Sequence, residues 1–208
     1  MILNLKGEKR EFADGMNALD IAGEISQELK KAALAARLDG EVISLVTPIH
    51  GDHDLEILTF DDPDGARVLR HTASHVLAQA VKKIIPEAKL AIGPAIDNGF
   101  YYDFDVDQPF TPEILKEIEK EMSHIVKKNE RLERFELPRE EAIRFMEEKG
   151  EPYKVELIRD LPEDAVISFY RQGDFTDLCA GPHLPSTGKV KAFKLTQVAG
   201  AYWRGNEK

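Results

Sequence analysis

Apolar and polar positions alternate in short bursts over the first sixty residues. Ile2, Leu5 and Phe12 flank the polar stretch Lys6-Gly7-Glu8-Lys9, which predicts a hairpin. Asp14-Gly15 breaks the second strand. Asn17 can then cap a helix through Leu19, Ile21, Ala22 and Ile25, with Asp20 and Glu24 near its positive end. Further strands are expected from Ala33 to Leu38, from Val42 to Val46 after the turn at Asp39-Gly40, and from Leu55 to Phe60. Hairpin, helix and returning strands in so short a length predict a small β-grasp domain at 1–61. The boundary is expected at Asp61-Asp62-Pro63-Asp64-Gly65, polar and rich in breakers.

The period then lengthens. From about 64 to 85 a helix is predicted, ended by Pro86. At about 100° per residue, Leu69, Ala73, Val76, Leu77, Ala80 and Ile84 share one arc. His71 and His75 lie opposite it, about 40° apart, with Lys82 between them. A Gly, Pro and aromatic stretch from Ile92 feeds a strand with Tyr102 and Phe104 on one face. Thr111-Pro112-Glu113 starts a helix whose buried stripe is Ile114, Leu115, Ile118, Met122, Ile125 and Val126. Pro138 opens another helix, closed by Gly150. A strand around Tyr153 to Ile158, a turn at Asp160 to Asp164 and a strand from Val166 to Tyr170 are expected next. Residues 171–188, broken by Gly and Pro, place Cys179 and His183 on a loop. The fold class is α+β, a β-grasp domain followed by a larger α+β domain at 62–208.

Composition narrows the setting. The chain has 208 residues, 42% hydrophobic and 32% charged, enough apolar content for a packed core. A single cysteine excludes an internal disulfide and fits a reducing compartment. No apolar run approaches the roughly 18–20 residues of a membrane span. The start also turns charged too early for a secretory leader. A cytoplasmic protein without membrane partners is expected. The net charge of -10 argues against indiscriminate nucleic-acid binding. The last stretch is nevertheless basic, with Lys189, Lys191, Lys194, Arg204 and Lys208 against Glu207. On charge alone this is a solvated face sooner than an RNA contact.

Two pairs carry candidate chemistry at the same spacing, His71/His75 and Cys179/His183. On a helix, positions i and i+4 bring two imidazoles to one side. Three His and one Cys can close a tetrahedral zinc site, but such a site lacks the open fourth position of a catalytic zinc. Thr72 stands where a metalloprotease helix needs its glutamate. The spacing leaves a metal centre, a metal-free catalytic site and a surface pair all open.

Four ordered motifs go further: His71-x-x-x-His75; Ala91-Ile92-Gly93-Pro94 with Asn98-Gly99-Phe100-Tyr101-Tyr102-Asp103; Asp177-Leu178-Cys179-x-Gly181-Pro182-His183; and Ala199-Gly200-Ala201-Tyr202-Trp203-Arg204-Gly205. Together they resemble the editing region of bacterial-type threonyl-tRNA synthetases, and residues 1–60 resemble the small TGS domain that precedes it. The resemblance implies an N-terminal fragment that hydrolyses the ester of seryl-tRNA(Thr). The aminoacylation domain, with its ATP and zinc, and the anticodon-binding domain follow in that family. Partners implied are the tRNA(Thr) acceptor end and the remaining synthetase domains, in a full-length homodimer. The rationale is a double sieve, since one methyl group gives only about 1–3 kcal/mol of discrimination.

The resemblance also implies roles. His71 and Lys154 position or activate water, and His183 orients the ribose or the water. Asp177 holds the serine amine, Cys179 shapes the pocket, and His75 and Tyr102 complete the substrate site. Editing in that family runs without a metal, whereas alanyl-type editing domains hold zinc through the positions of His71, His75, Cys179 and His183. Taken alone, the residues are duller. Lys154 is a solvated lysine at a strand start, Asp177 a turn cap, Tyr101 and Tyr102 core or strand aromatics, and Cys179 a small buried hydrophobe. His50, His53 and His124 are structural or surface residues, and Trp203 beside Arg204 suits packing or RNA equally. The alternatives are a zinc-dependent alanyl-type deacylase and a non-catalytic RNA-binding module. The β-grasp domain offers no catalytic set.

Overall fold

In the computed structural model, which describes residues 1–206, the chain opens as the expected hairpin of β1 (Ile2–Leu5) and β2 (Glu8–Glu11). Helix α1 (Ala18–Ile25) starts where the Asn17 side chain accepts the Asp20 N–H. Ser26 ends that helix and caps a second, α2 (Gln27–Ala32), which no apolar period announces. Strands β3 (Ala35–Leu38), β4 (Glu41–Ile43) and β5 (His53–Leu58) complete a sheet of order β2-β1-β5-β3-β4. β1 and β5 run parallel and the other neighbours antiparallel, a β-grasp arrangement around Leu3, Ile21, Leu45 and Ile49. β3 starts later and β4 ends earlier than the apolar runs predict, because Leu34 and Leu45 are buried from the loops beside them.

The expected boundary is a helix start. Asp62 accepts the Asp64 N–H and caps α3 (Pro63–Ile84), with Pro63 in the first turn. Arg37 of β3 holds this start through ion pairs with Glu56, Asp62 and Asp64. A Cβ on Gly65 would lie 2.2 Å from the Thr59 carbonyl oxygen, so the helix backbone packs directly on the segment leaving β5. From Thr72 to Val81 every residue of α3 is buried. Its predicted arc meets Ile118, Met122 and Ile125, and its opposite, polar side is covered as well.

Strands β6 (Lys89–Leu90), β7 (Ala95–Ile96), β8 (Gly99–Phe100) and β9 (Phe104–Asp105) form two short ladders, β7-β8 nested within β6-β9. Helix α4 (Pro112–Lys128) begins at the Thr111 cap as predicted. Then come β10 (Glu133–Glu136), α5 (Arg139–Glu148), α6 (Pro152–Asp160), β11 (Ser168–Gln172) and β12 (Phe175–Leu178). The last two strands join β10 in an antiparallel sheet.

The expected strand at Tyr153 to Ile158 is therefore a helix. Pro152 fits its first turn, and Lys154, Val155 and Ile158 give a helical burial spacing that so short a run also allows in a strand. The following strand runs two residues later than expected, leaving Val166 exposed.

The two predicted domains share a core. Leu34, Ala35 and Leu58 of the N-terminal sheet pack with Val68, Val76 and Leu184. Lys189 donates to the carbonyls of Lys30, Lys31 and Ala33 at the end of α2. The basic end is thus largely paired, though at the surface beyond Lys189: Lys194 pairs with Glu119, and Arg204 with Asp160. Trp203 donates to Glu156 and packs on Tyr153. Lys191 stays exposed, while Glu207 and Lys208 lie outside the described residues.

A methyl group at residue 65 has no room against a backbone oxygen, so Gly65→Ala is predicted to cost about 1–3 kcal/mol. In a chain of this size that lowers Tm by about 2–4 °C per kcal/mol. Gly200→Ala, with nothing within 4 Å of its added Cβ, leaves the thermal melt in place and serves as the control.

Candidate functional site

Helix α3 presents His71, Thr72 and His75 to the loop that follows β12. Cys179 extends the strand pairing: its N–H donates to the Ser168 carbonyl, and the Ser168 hydroxyl donates to the Cys179 carbonyl at 2.7 Å. The chain then reverses. Gly181 stands at φ +75, where an added Cβ would meet the Tyr170 hydroxyl at 2.3 Å, and the Gly181–Pro182 peptide is cis. This turn drives the His183 ring between those of His71, His75 and Tyr170, with centroids 4.0, 4.2 and 4.5 Å away.

The hydrogen bonds here have a determinable direction. The Pro182 carbonyl can only accept, so His71 Nδ1 at 3.2 Å carries the proton and Nε2 its lone pair. That Nε2 is 3.3 Å from Cys179 Sγ, so the thiol donates to it. With its one proton committed, Sγ accepts from the Gly181 N–H and from His183 Nε2, each at 3.3 Å. His183 Nδ1 then accepts from the Thr72 hydroxyl at 2.9 Å, whose oxygen accepts the Leu184 N–H. Every link is filled and both rings are neutral. Burial enforces this, holding His71 below its ordinary range and His183 well below it. The same burial pushes the Cys179 thiol up to about 12, which removes it as a nucleophile at neutral pH.

The other half of the site is charged. Asp177 of β12 and Lys154 of α6 are almost wholly buried, with Nζ 3.0 Å from Oδ1 in an ion pair that lies off the line of a hydrogen bond. Tyr102 donates to Asp177 Oδ2 at 2.5 Å, and Lys154 Nζ lies 5.4 Å from the Tyr102 ring centroid. Burial, the largest single influence, would raise the Asp177 pKa; the Lys154 charge, His75 and the Tyr102 hydrogen bond together outweigh it and hold the carboxyl below its ordinary value. The Tyr102 phenol is pushed well above its usual range by burial and by that carboxylate. Gly93 makes room for this tyrosine, since a Cβ there would fall 2.1 Å from the ring.

His75 stands between the halves. Its Nε2 is 3.9 Å from Asp177 Oδ2, while its Nδ1 is buried with no hydrogen-bond partner. Burial depresses its pKa to about 3.

The structure brings all seven predicted residues together: His71, His75, Tyr102, Lys154, Asp177, Cys179 and His183. Two of the duller readings fail. Lys154 is buried and paired, and Asp177 sits within a strand and caps nothing. Tyr101 points elsewhere, with 40% of its surface exposed. His53 is tied to Asp39 and the His50 carbonyl, far from this cluster in the N-terminal sheet. Thr72, Ser168, Tyr170 and Ser44 were missed; only Thr72, inside the His71/His75 string, had a signal near it. Two surface clefts, of about 260 and 380 Å³, are lined by none of these residues. The partly exposed members are His71 and Cys179, which form the accessible edge.

Both deep imidazoles refuse protons that the unfolded chain accepts near pH 6.5. Their contribution to stability is therefore complete above that pH and declines as pH falls toward the depressed folded values. Imidazole ¹⁵N spectra should keep His75 and His183 in the neutral pattern at pH 5. Protonation of either ring near pH 6.5 contradicts the assignment.

Comparison with known proteins gives matches at both ends. The TGS domain family matches residues 2–59, and the "Threonyl and Alanyl tRNA synthetase second additional domain" family matches residues 167–208. The second match includes Asp177, Cys179 and His183, while His71, His75, Tyr102 and Lys154 join the site through the fold alone. The threonine--tRNA ligase of Clostridium tetani is 65% identical over 202 residues, covering 97% of this chain and 32% of the relative. That of Clostridium kluyveri is 63% identical over 201 residues, with the same coverage. The chain thus spans about a third of the length of the curated relatives it matches. With a match to the TGS domain family followed by one to the second additional domain family, the chain is similar over nearly its whole length to the N-terminal region of threonine--tRNA ligases.

Proposed function

We propose that this chain hydrolyses the ester of a mischarged aminoacyl-tRNA, and that its substrate is seryl-tRNA(Thr), edited on behalf of a threonine--tRNA ligase. The observation that carries the reading is the junction of a neutral imidazole–thiol network with a buried Asp177–Lys154 pair in one cluster. Ester hydrolysis needs an oriented water, an acceptor for its proton and stabilisation of the oxyanion. His71 Nε2 carries a lone pair at the accessible edge and takes the water's hydrogen once substrate displaces the thiol contact. Water oxygen bonds to the ester carbonyl carbon, the bond to the ribose oxygen breaks, and the proton passes to that oxygen. Lys154, held beside a carboxylate, serves as a cation facing the oxyanion. Asp177, kept ionised, receives the α-ammonium of serine. The unspent Nδ1 of His75 suits the serine hydroxyl, because a buried polar atom left without a partner is costly. His183, whose ring nitrogens are engaged by Cys179 and Thr72, orients the ribose once substrate displaces its Cys179 contact.

A second reading has its own observation. His71, His75, Cys179 and His183 offer ligand atoms that all lie within 4.8 Å of one another. Three nitrogens and a sulfur fit zinc in number and type. When bound, zinc supplies a Lewis acid; here four protein donors would fill its tetrahedral shell.

On seryl-tRNA(Thr), His71→Ala is expected to lower kcat/KM by about 10²–10⁴-fold. Cys179→Ala, which removes no nucleophile, is expected to stay within about tenfold of the parent. Equal, total loss in both variants, together with loss on chelation and one zinc per chain, would support the metal reading. Hydrolysis that neither variant changes would overturn both.

A further inference from the structure

Ser44 leaves the end of β4 in the N-terminal sheet and is buried against the loop of the second domain. Its Oγ accepts the His183 N–H at 3.2 Å and lies 3.5 Å from the Tyr170 hydroxyl, at the outer limit of a hydrogen bond. The carbonyl of Pro182 and the N–H of His183 belong to one planar peptide unit. Its oxygen end accepts a hydrogen bond from His71 Nδ1–H, and its nitrogen end donates to Ser44 Oγ. The orientation of this one peptide therefore decides whether the carbonyl faces His71, and so which nitrogen of His71 keeps its lone pair.

We propose that Ser44 is a positioning residue of the hydrolytic site, through which the N-terminal domain fixes the His71 tautomer and the seat of His183. The proposal rests on the hydrolytic reading given above. The neighbourhood is built to deliver Ser44 to this point. Leu34, Ala35 and Leu58 of the N-terminal domain enter the core of the second, while the Lys189 tie is a separate contact at the end of α2. The Tyr170 ring fills the space beneath the loop, touching His183 on one side and Gly181 on another. Thr72 holds the His183 ring and the Leu184 N–H, which leaves the peptide between residues 182 and 183 with Ser44 as its nitrogen-side anchor.

The test uses the whole chain with three variants. Ser44→Ala frees the nitrogen end of the peptide. Ser44→Thr keeps the hydroxyl. Lys189→Met loosens the domain contact without touching the clamp. Three readings are taken on each: the kcat and KM of seryl-tRNA(Thr) hydrolysis, the ¹⁵N tautomer signature of His71, and the thermal melt. Ser44→Ala is expected to lower kcat about tenfold, the equivalent of one lost hydrogen bond, with KM within twofold. It should also turn the His71 signal from a single Nδ1–H tautomer to a mixture. Ser44→Thr restores both, and Lys189→Met lowers the melt while leaving kcat and the His71 signature at parent values. An unchanged tautomer in Ser44→Ala, or the same kcat loss in Lys189→Met, overturns the proposal. If the parent chain hydrolyses nothing, the functional reading fails, and the His71 signature alone then decides the role of Ser44.

Discussion

A helix buried on every side must satisfy its polar residues inside the protein, and α3 carries Thr72, Ser74, His75 and Gln79 within such a stretch. Unpaired, each would cost about 1–3 kcal/mol. The rest of the second domain supplies their partners. Ser74 donates to the carbonyls of His71 and Gly93, Thr72 accepts the Leu184 N–H, and Gln79 exchanges bonds with Gln172 of β11. These bonds fix the loop after β12 and the Gly93 turn against one helix face. The site is where two of those fixings meet.

The exception identifies the chemistry. His75 Nδ1 is left without a hydrogen-bond partner, and it lies between a neutral half and a charged half. The neutral half holds imidazoles whose protonation is opposed by burial, so the tautomer is set by hydrogen bonds alone. The charged half holds an ion pair whose partners depend on each other: removing either Asp177 or Lys154 would leave an isolated charge, at a cost of about 3–5 kcal/mol. A site divided this way can hold an ammonium and an ester oxygen within a few ångströms while keeping its imidazoles free of charge.

Much of this was legible in the residues. The i, i+4 spacing of His71 and His75 and the Gly-Pro punctuation around Cys179 and His183 foretold the two halves of the neutral network. The Asn17 and Thr111 signals foretold two helix starts, whereas Pro63, which reads as a breaker at the boundary, opens α3. What stayed hidden depends on partners distant in sequence. Lys154 looked solvated because its counter-ion is 23 positions away on another element, Asp177 of β12. The helix around it also reads as a strand, because a nine-residue run with two buried aliphatics fits either period. Ser44 had no local signal at all; its partner lies 139 positions away. The basic terminal run looked like a surface, yet Lys189 is an internal tie.

The most direct measurement is the rate of ester loss from seryl-tRNA(Thr) and from threonyl-tRNA(Thr) incubated with the parent chain, with and without a chelator. Serine should be lost rapidly and threonine retained near its uncatalysed rate, with no effect of the chelator. Equal loss of both esters would contradict a site fitted to serine. Loss of neither would contradict hydrolysis by this cluster.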